Sequence, residues 1–146
     1  MPWQPPRDED GKIIPHNHPN IQDADGIIRR ISGHQVVADP KSPTGKRVST
    51  AAFEPSSDDG GGLSVDIKRQ IEEAGHDPKA YVTSPRWIGS VLLSAGHFRC
   101  HGLLVGTDPL PDNPFHGEVW GNIPRGMRRA LLQQAEWFVA IDGVSL

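Results

Sequence analysis

Apolar residues in this chain occur in short runs that are separated by glycine, proline and polar residues. This pattern is typical of strands joined by turns. The first predicted strand consists of two fragments, residues 26–31 and 34–39. Further strands are predicted at residues 47–53, 87–94, 103–109 and 115–120.

The clearest helix start follows the loop-like composition of residues 54–62, EPSSDDGGG. Ser64 stands where an N-cap residue is expected, and Ile67 and Ile71 follow with the spacing of one helical face. Gly75 is typical of the C′ position that ends a helix. We therefore expect a helix from Ser64 to Gly75.

A second main helix is predicted near the C-terminal end. Pro124 suits the first helical position, and Met127, Leu131 and Phe138 recur on one stripe. Only short helical turns are expected at residues 77–81 and 95–102.

This order of elements predicts a single α+β domain, with a mixed or mainly antiparallel sheet and two main helices packed against it. The length of 146 residues fits one core. Residues 1–25 contain five prolines and few periodic apolar positions, so we expect a flexible Pro-rich tail followed by the domain at residues 26–146.

The composition of the chain says more about where in the cell the protein is expected than about its function. The net charge of −3 gives no overall attraction to nucleic acids or anionic membranes. One cysteine, Cys100, excludes an intrachain disulfide, the first residues lack the pattern of a secretory signal, and no apolar run has the length of a transmembrane helix. We expect a cytoplasmic protein that does not enter a membrane.

The main candidate site is the segment HGEVW at residues 116–120. On a strand, His116, Glu118 and Trp120 would share one face, with the imidazole and the carboxylate about 7 Å apart. His116 and Glu118 are the candidate catalytic pair for acid and base chemistry, and Trp120 is a candidate ligand contact. The alternative is a solvent-exposed face that carries polar residues through ordinary strand alternation.

A second set of candidates contains arginines and hydroxyls of the first two predicted strands. Arg30, or its neighbour Arg29, comes from the first strand, and Arg47, Ser49 and Thr50 come from the second. Guanidinium groups suit phosphate or carboxylate, so these residues are candidates for binding a nucleotide or another anion. The alternative is surface arginine on an edge strand.

An arginine on an early strand, a Ser-Thr pair on the next and a glutamate on a late strand resemble the Arg, Ser-Thr-Ser, Glu order of ADP-ribosyltransferases. The matching residues are Arg30 or Arg29, Ser49 with Thr50, and Glu118; STA lacks the third hydroxyl of the family pattern, and HGE lacks its usual acidic or glutamine partner. The resemblance implies that the arginine holds a phosphate of NAD, that the hydroxyls brace the ribose and that Glu118 stabilises the oxocarbenium-like centre.

Cofactors and partners are less constrained by the sequence. NAD is one candidate cofactor, whereas the spacing of His97, Cys100, His101 and His116 is unlike common zinc motifs and does not favour zinc. The paired histidines His16 and His18 are expected to be solvated.

Two hypotheses about function therefore stand side by side. The first is a polar cleft for a nucleotide or other anionic small molecule, with ADP-ribosyl transfer from NAD as the possible reaction. The second is a non-catalytic module that binds a protein partner, as an antitoxin, an immunity protein or an accessory factor of bacterial type does. RNA contact through Arg125, Arg128 and Arg129 is a third and weaker reading.

Overall fold

The computed structural model describes residues 3–56 and 61–146; residues 57–60 of the predicted loop lie outside the described residues. The strands are β1 (Gly26–Ser32), β2 (Val36–Ala38), β3 (Lys46–Val48), β4 (Leu63–Ile67), β5 (Trp87–Ser94), β6 (Leu104–Thr107), β7 (His116–Trp120) and β8 (Glu136–Val139). The α-helices are α1 (Lys68–Glu73), α2 (Pro78–Tyr81), α3 (Ala95–Arg99) and α4 (Arg125–Gln134).

Six strands form one antiparallel sheet in the order β6-β7-β4-β1-β5-β8, and β2 pairs with β3 in a separate antiparallel hairpin. The strands and helices make one α+β domain, which confirms the predicted fold class.

Apolar side chains cover both faces of this sheet, but unequally. The larger cluster lies on the face that α3, α4 and a short 3-10 helix at Thr50–Phe53 cover. It contains, among others, Ile27, Ile31, Phe53, Val65, Phe98 and Leu131. The smaller cluster lies under α1 and α2 and is built on Ile28, Ile71 and Val82.

Strand alternation sets which side chains of β4 and β7 share a face. In their antiparallel register Ser64 pairs with Glu118, and Asp66 pairs with His116. The residues between them, Val65 and Gly117, point to the larger core, so the polar pairs point to the opposite face. The predicted sharing of one face by His116 and Glu118 is therefore confirmed.

The predicted helix start at Ser64 is wrong, because residues 63–67 form strand β4. Leu63, Val65 and Ile67 alternate and are all buried, so pairing with β1 and β7 outweighs the local N-cap signal at Ser64. The helix begins instead at Lys68.

Two other element boundaries also differ from prediction. The strand predicted at residues 47–53 covers only Lys46–Val48 and is followed by the 3-10 helix. The last helix ends at Gln134, so Phe138 does not continue its stripe but lies on β8, which pairs with β5. The residues of β8 favour a strand, and their pairing with β5 provides hydrogen-bond partners for backbone groups that a longer helix would leave unpaired.

The N-terminal segment lies against the sheet, although its composition predicted a tail. Ile21 is buried in the larger core, and the backbone N–H of His18 donates to the Val105 carbonyl oxygen on edge strand β6. Arg99 on α3 donates to the side chains of Asn17 and Asp23. These contacts cover the edge strand and bring His16 onto the polar face.

Candidate functional site

A cleft of about 630 Å³ opens on the polar side of β1 and β4. One wall is the loop before β7, which contributes Leu110, Asp112 and Asn113. The rest of the lining includes three arginines, two aromatic rings, an aspartate, a serine and a histidine: Arg29, Arg30, Arg86, Tyr81, Trp87, Asp66, Ser64 and His116. A volume of this size fits a small-molecule ligand.

A chain of hydrogen bonds holds one side of the cleft together. The Tyr81 hydroxyl donates to Asn113 Oδ1 at 2.7 Å, and Asn113 Nδ2 donates to Asp66 Oδ1 at 2.7 Å. Arg30 donates to both oxygens of Asp66, at 2.8 and 3.1 Å. Because the Asp66 side chain is only 4% exposed, this two-pronged ion pair is well shielded from water.

Arg29 lies where the ladder between β1 and β4 ends. Its Nε donates to the Ala52 carbonyl oxygen at 2.8 Å and its Nη1 donates to the Ser64 carbonyl oxygen at 2.9 Å. Burial lowers the pKa of Arg29 to about 10, while the charges of Glu118 and Asp66 act to raise it. The guanidinium therefore carries its positive charge at neutral pH.

Arg86 and Trp87 form the exposed side of the cleft. The Arg86 guanidinium carbon lies 4.8 Å from the centroid of the Trp87 ring, and the side chain is exposed. Within residues 3–56 and 61–146, neither Arg86 nor Arg29 forms an ion pair with a carboxylate. These two cations of the cleft thus form no ion pair among the described residues, although the charges of Glu118 and Asp66 act on Arg29.

His116 lines the cleft and is held on both sides by acidic residues. Its Nδ1 lies 2.7 Å from the Asp108 carbonyl oxygen, which can only accept, so Nδ1 carries a proton and donates. Its Nε2 lies 3.6 Å from Glu118 Oε1. In the neutral ring Nε2 therefore presents its lone pair towards Glu118.

Glu118 lies behind His116 and is not among the residues that line the cleft. Burial raises the pKa of Glu118, and the charge of Asp108 adds to the rise; His116, Arg29 and a hydrogen bond from Ser64 oppose it. Its Oε2 is buried and has no hydrogen-bond partner among the described residues. Burial thus disfavours the ionised form of the Glu118 carboxylate, and one of its oxygens has no hydrogen-bond partner among the described residues.

The structure covers Trp120 with a residue of the N-terminal segment. The ring of His16 lies 5.0 Å from that of Trp120 and takes the space where a side chain of Gly106 would be. His16 Nε2 accepts from the Thr107 N–H at 3.2 Å, and Nδ1 donates to the Ile14 carbonyl oxygen at 2.9 Å. Intramolecular packing therefore explains the burial of Trp120 without a ligand.

Four of the five predicted ligand-binding residues do not line this cleft: Trp120, Ser49, Arg47 and Thr50. Ser49 caps the 3-10 helix, where its hydroxyl accepts from the Ala51 N–H. Arg47 pairs with Asp39, and Arg47 and Thr50 line a second groove of about 340 Å³. That groove also contains Arg125 and Arg129 of α4 and the apolar side chains Val48, Leu132 and Leu146. Arg30 and His116 are thus together, whereas Arg47 and Thr50 belong to a different surface.

Several residues of the cleft were missed in the sequence. Asp66 was placed in the first turn of a helix, although the alternation of its apolar neighbours was a usable signal for a strand. Tyr81, Arg86 and Trp87 reach the cleft only through the tertiary fold, and no local pattern marks them.

Three of the four residues considered for zinc in the sequence, His97, Cys100 and His101, lie away from His116 and make other contacts. His97 Nδ1 accepts from the Ser94 N–H, and Cys100 is exposed. The ring of His101 lies 3.1 Å from the Gln134 side-chain oxygen. In the described part of the chain, the His, Cys, Asp and Glu side chains close enough to share a metal ion are instead Asp108, His116 and Glu118.

No protein-family model, curated protein or solved structure matches this chain. Among the described residues, the structure contains no helix with the length and apolar character needed to cross a membrane. The geometry of the cleft and of the cluster behind it is therefore the basis for the proposals that follow.

Proposed function

We propose that this protein binds a nucleotide-type anion in the cleft between β1, β4 and the loop at residues 108–114. The observation that carries the proposal is that Arg29 and Arg86, which form no ion pair within the described part of the chain, line one cleft together with the aromatic ring of Trp87.

Phosphate is the group that best suits these arginines. A guanidinium presents a planar fork of donors that matches phosphate oxygens. Arg30 is less available, because the Asp66 carboxylate that accepts from its Nε and Nη2 already balances its charge, whereas the two acceptors of Arg29 are neutral carbonyl oxygens. The exposed side chain of Arg86 can adapt to the ligand, whereas two backbone carbonyl oxygens hold the Arg29 guanidinium in place before the ligand binds. Phosphate would bind between them with little reorganisation.

Trp87 and the polar groups near it suit the base and the sugar of a nucleotide. Stacking of a base on an aromatic side chain contributes about 1–3 kcal/mol. Ser64 and Asp112 add hydrogen-bonding groups along the lining, which suit the hydroxyls of a ribose. A ligand with a base, a sugar and a phosphate uses all three kinds of group.

ADP-ribosyl transfer from NAD stays a prediction. Arg30 lines the cleft and Glu118 lies behind His116, but Ser49 and Thr50 lie at other positions on the molecule. Release of nicotinamide from NAD by the protein would support the reaction. The alternative hypothesis of a non-catalytic protein-binding module expects no nucleotide to bind at all.

Thermal shift with ADP-ribose, NAD, ATP and AMP tests the proposal. A ligand that binds the folded state raises the melting temperature, and the stabilisation grows with the logarithm of the ratio of ligand concentration to Kd. Arg86→Gln should weaken the affinity by about 10- to 100-fold, because a hydrogen bond to a charged group contributes about 1.5–3 kcal/mol. The fold should persist, since the Arg86 side chain makes only the ring contact with Trp87 among the described residues.

The matched control is Arg125→Gln combined with Arg129→Gln, which removes two cations from the second groove. We expect this double variant to bind the nucleotide as the wild type does. If the double variant loses binding and Arg86→Gln keeps it, the anion site is the second groove. If no ligand at millimolar concentration shifts the melting temperature, the proposal is wrong.

A further inference from the structure

Three potential metal ligands lie together beside the cleft: His116 lines it, whereas Asp108 and Glu118 are not among its lining residues. One ligand atom from each of Asp108, His116 and Glu118 lies within 4.8 Å of the others. The β6–β7 ladder fixes this arrangement: the Asp108 N–H donates to the His116 carbonyl oxygen at 3.0 Å, and Glu118 follows two residues later on the same face of β7.

The orientation of His116 is one that metal-binding histidines adopt. Such a histidine usually donates its second ring N–H to a carbonyl or carboxylate, which fixes the ring and leaves the other nitrogen free to coordinate. His116 donates from Nδ1 to the Asp108 carbonyl oxygen at 2.7 Å. Its Nε2, 3.6 Å from Glu118 Oε1, is therefore the nitrogen that is available to an ion. The Asp108 carboxylate lies 3.7 Å from Nδ1, so it has to turn towards Nε2 to become the third ligand.

The distance between His116 and Glu118 is long for a hydrogen bond and suitable for two ligands of one ion. Nε2 and Glu118 Oε1 are 3.6 Å apart. Two ligands of a tetrahedral ion, at bond lengths of 2.0–2.2 Å, are separated by roughly 3.3 to 3.6 Å. The pair thus already has about the spacing that zinc coordination requires.

The unsatisfied oxygen of Glu118 is an independent reason to expect a cation. Oε2 is buried without a hydrogen-bond partner among the described residues, and such groups in folded proteins are nearly always paired. Arg29 attracts Glu118 electrostatically, but its Nε and Nη1 donate to backbone carbonyls. A divalent ion bound to Glu118 through both carboxylate oxygens would satisfy Oε2 as well as Oε1, and it would balance the two carboxylates.

We propose that Asp108, His116 and Glu118 form a binding site for a divalent transition-metal ion of the zinc class. Imidazole nitrogen with carboxylate oxygens is a zinc donor set, and three protein ligands leave a fourth position for water. Magnesium and calcium prefer six or more oxygen ligands and should bind poorly. This inference goes beyond the nucleotide cleft and does not depend on it.

The test is titration of the chelator-treated full chain with Zn²⁺ in the absence of nucleotide. We expect one equivalent to bind and to raise the melting temperature, with no comparable effect of Mg²⁺. Glu118→Gln and His116→Gln should each weaken Zn²⁺ binding by at least about tenfold. The matched control, Cys100→Ser with His101→Gln, should bind as the wild type does.

Two outcomes would overturn the proposal: the wild type binds no Zn²⁺, or Glu118→Gln binds it unchanged. If the Glu118 and His116 variants fail to fold, X-ray absorption on the zinc-loaded wild type decides. One imidazole with oxygen ligands supports the site, whereas sulfur or two imidazoles would place the ion at Cys100 or at His16 and His18. Titration with nucleotide in the presence of chelator tests the nucleotide site without a metal ion, so failure of the nucleotide proposal can be told apart from failure of the metal proposal.

Discussion

Replacement of Asp66 by alanine should destabilise the protein strongly, because Asp66 joins β4 to both β1 and the loop before β7. Its carboxylate accepts two hydrogen bonds from Arg30 and one from Asn113, and its side chain is 4% exposed. Loss of one partner of a buried ion pair costs about 3–5 kcal/mol, since the other charge stays buried.

The expected loss for Asp66→Ala lies at the lower end of that range. The Arg30 side chain is 23% exposed and borders the cleft, so water can reach part of the guanidinium after the change. We expect a loss of about 3 kcal/mol in the free energy of unfolding, which includes about 1 kcal/mol for the bond from Asn113. For a chain of this size the melting temperature falls by roughly 6–12 °C.

Urea unfolding and calorimetry measure this loss, with Asp112→Ala as the matched control. Asp112 lines the same cleft but is exposed, so its replacement should change stability by less than about 0.5 kcal/mol. Addition of Arg30→Met to Asp66→Ala should restore part of the stability, because the unpaired buried charge is removed. A loss below about 1 kcal/mol for Asp66→Ala would refute this reasoning.

Three further predictions concern other parts of the molecule. Burial lowers the pKa of His18, and His16 and nearby arginines lower it further, so protonation opposes folding. The unfolded chain then binds more protons than the folded protein, so the free energy of unfolding should fall as the pH drops below about 6.5. In urea unfolding between pH 5 and 7.5, His18→Gln should show a weaker dependence on pH than the wild type. An unchanged dependence would contradict this prediction. Gly106→Val should lower the melting temperature, because its side chain would displace the His16 ring; full stability would show that this packing contributes nothing. Gly126→Ala, in open space on α4, should add up to about 1 kcal/mol to the free energy of unfolding, and a loss would argue against that environment.

Local alternation was enough to predict most of the strands and the shared face of His116 and Glu118. The same alternation runs through Leu63, Val65 and Ile67, but Ser64 carries a helix-capping signal that misleads when the pairing partners are unknown. The conflict is resolved by burial, which favours the strand once β1 and β7 lie on either side.

The candidate site was only partly predictable, because sequence patterns do not specify which distant segments meet. Arg30 and His116 reach one cleft, whereas Arg47 and Thr50 lie on another surface, although their strands looked equivalent in sequence. Asp66 becomes important only when Arg30 and Asn113 approach it from distant parts of the chain. The N-terminal segment makes contacts with β6 and α3, and its composition alone does not reveal them.

The most direct test of the cleft uses the four tryptophans of the chain, Trp3, Trp87, Trp120 and Trp137, as reporters. Only Trp87 lines the cleft, so its indole N–H signal in ¹H–¹⁵N spectra should shift during titration with ADP-ribose, while the other three stay in place. Trp87→Phe assigns the signal. Saturable binding that leaves the Trp87 signal unmoved, or no binding, would contradict a nucleotide site in this cleft.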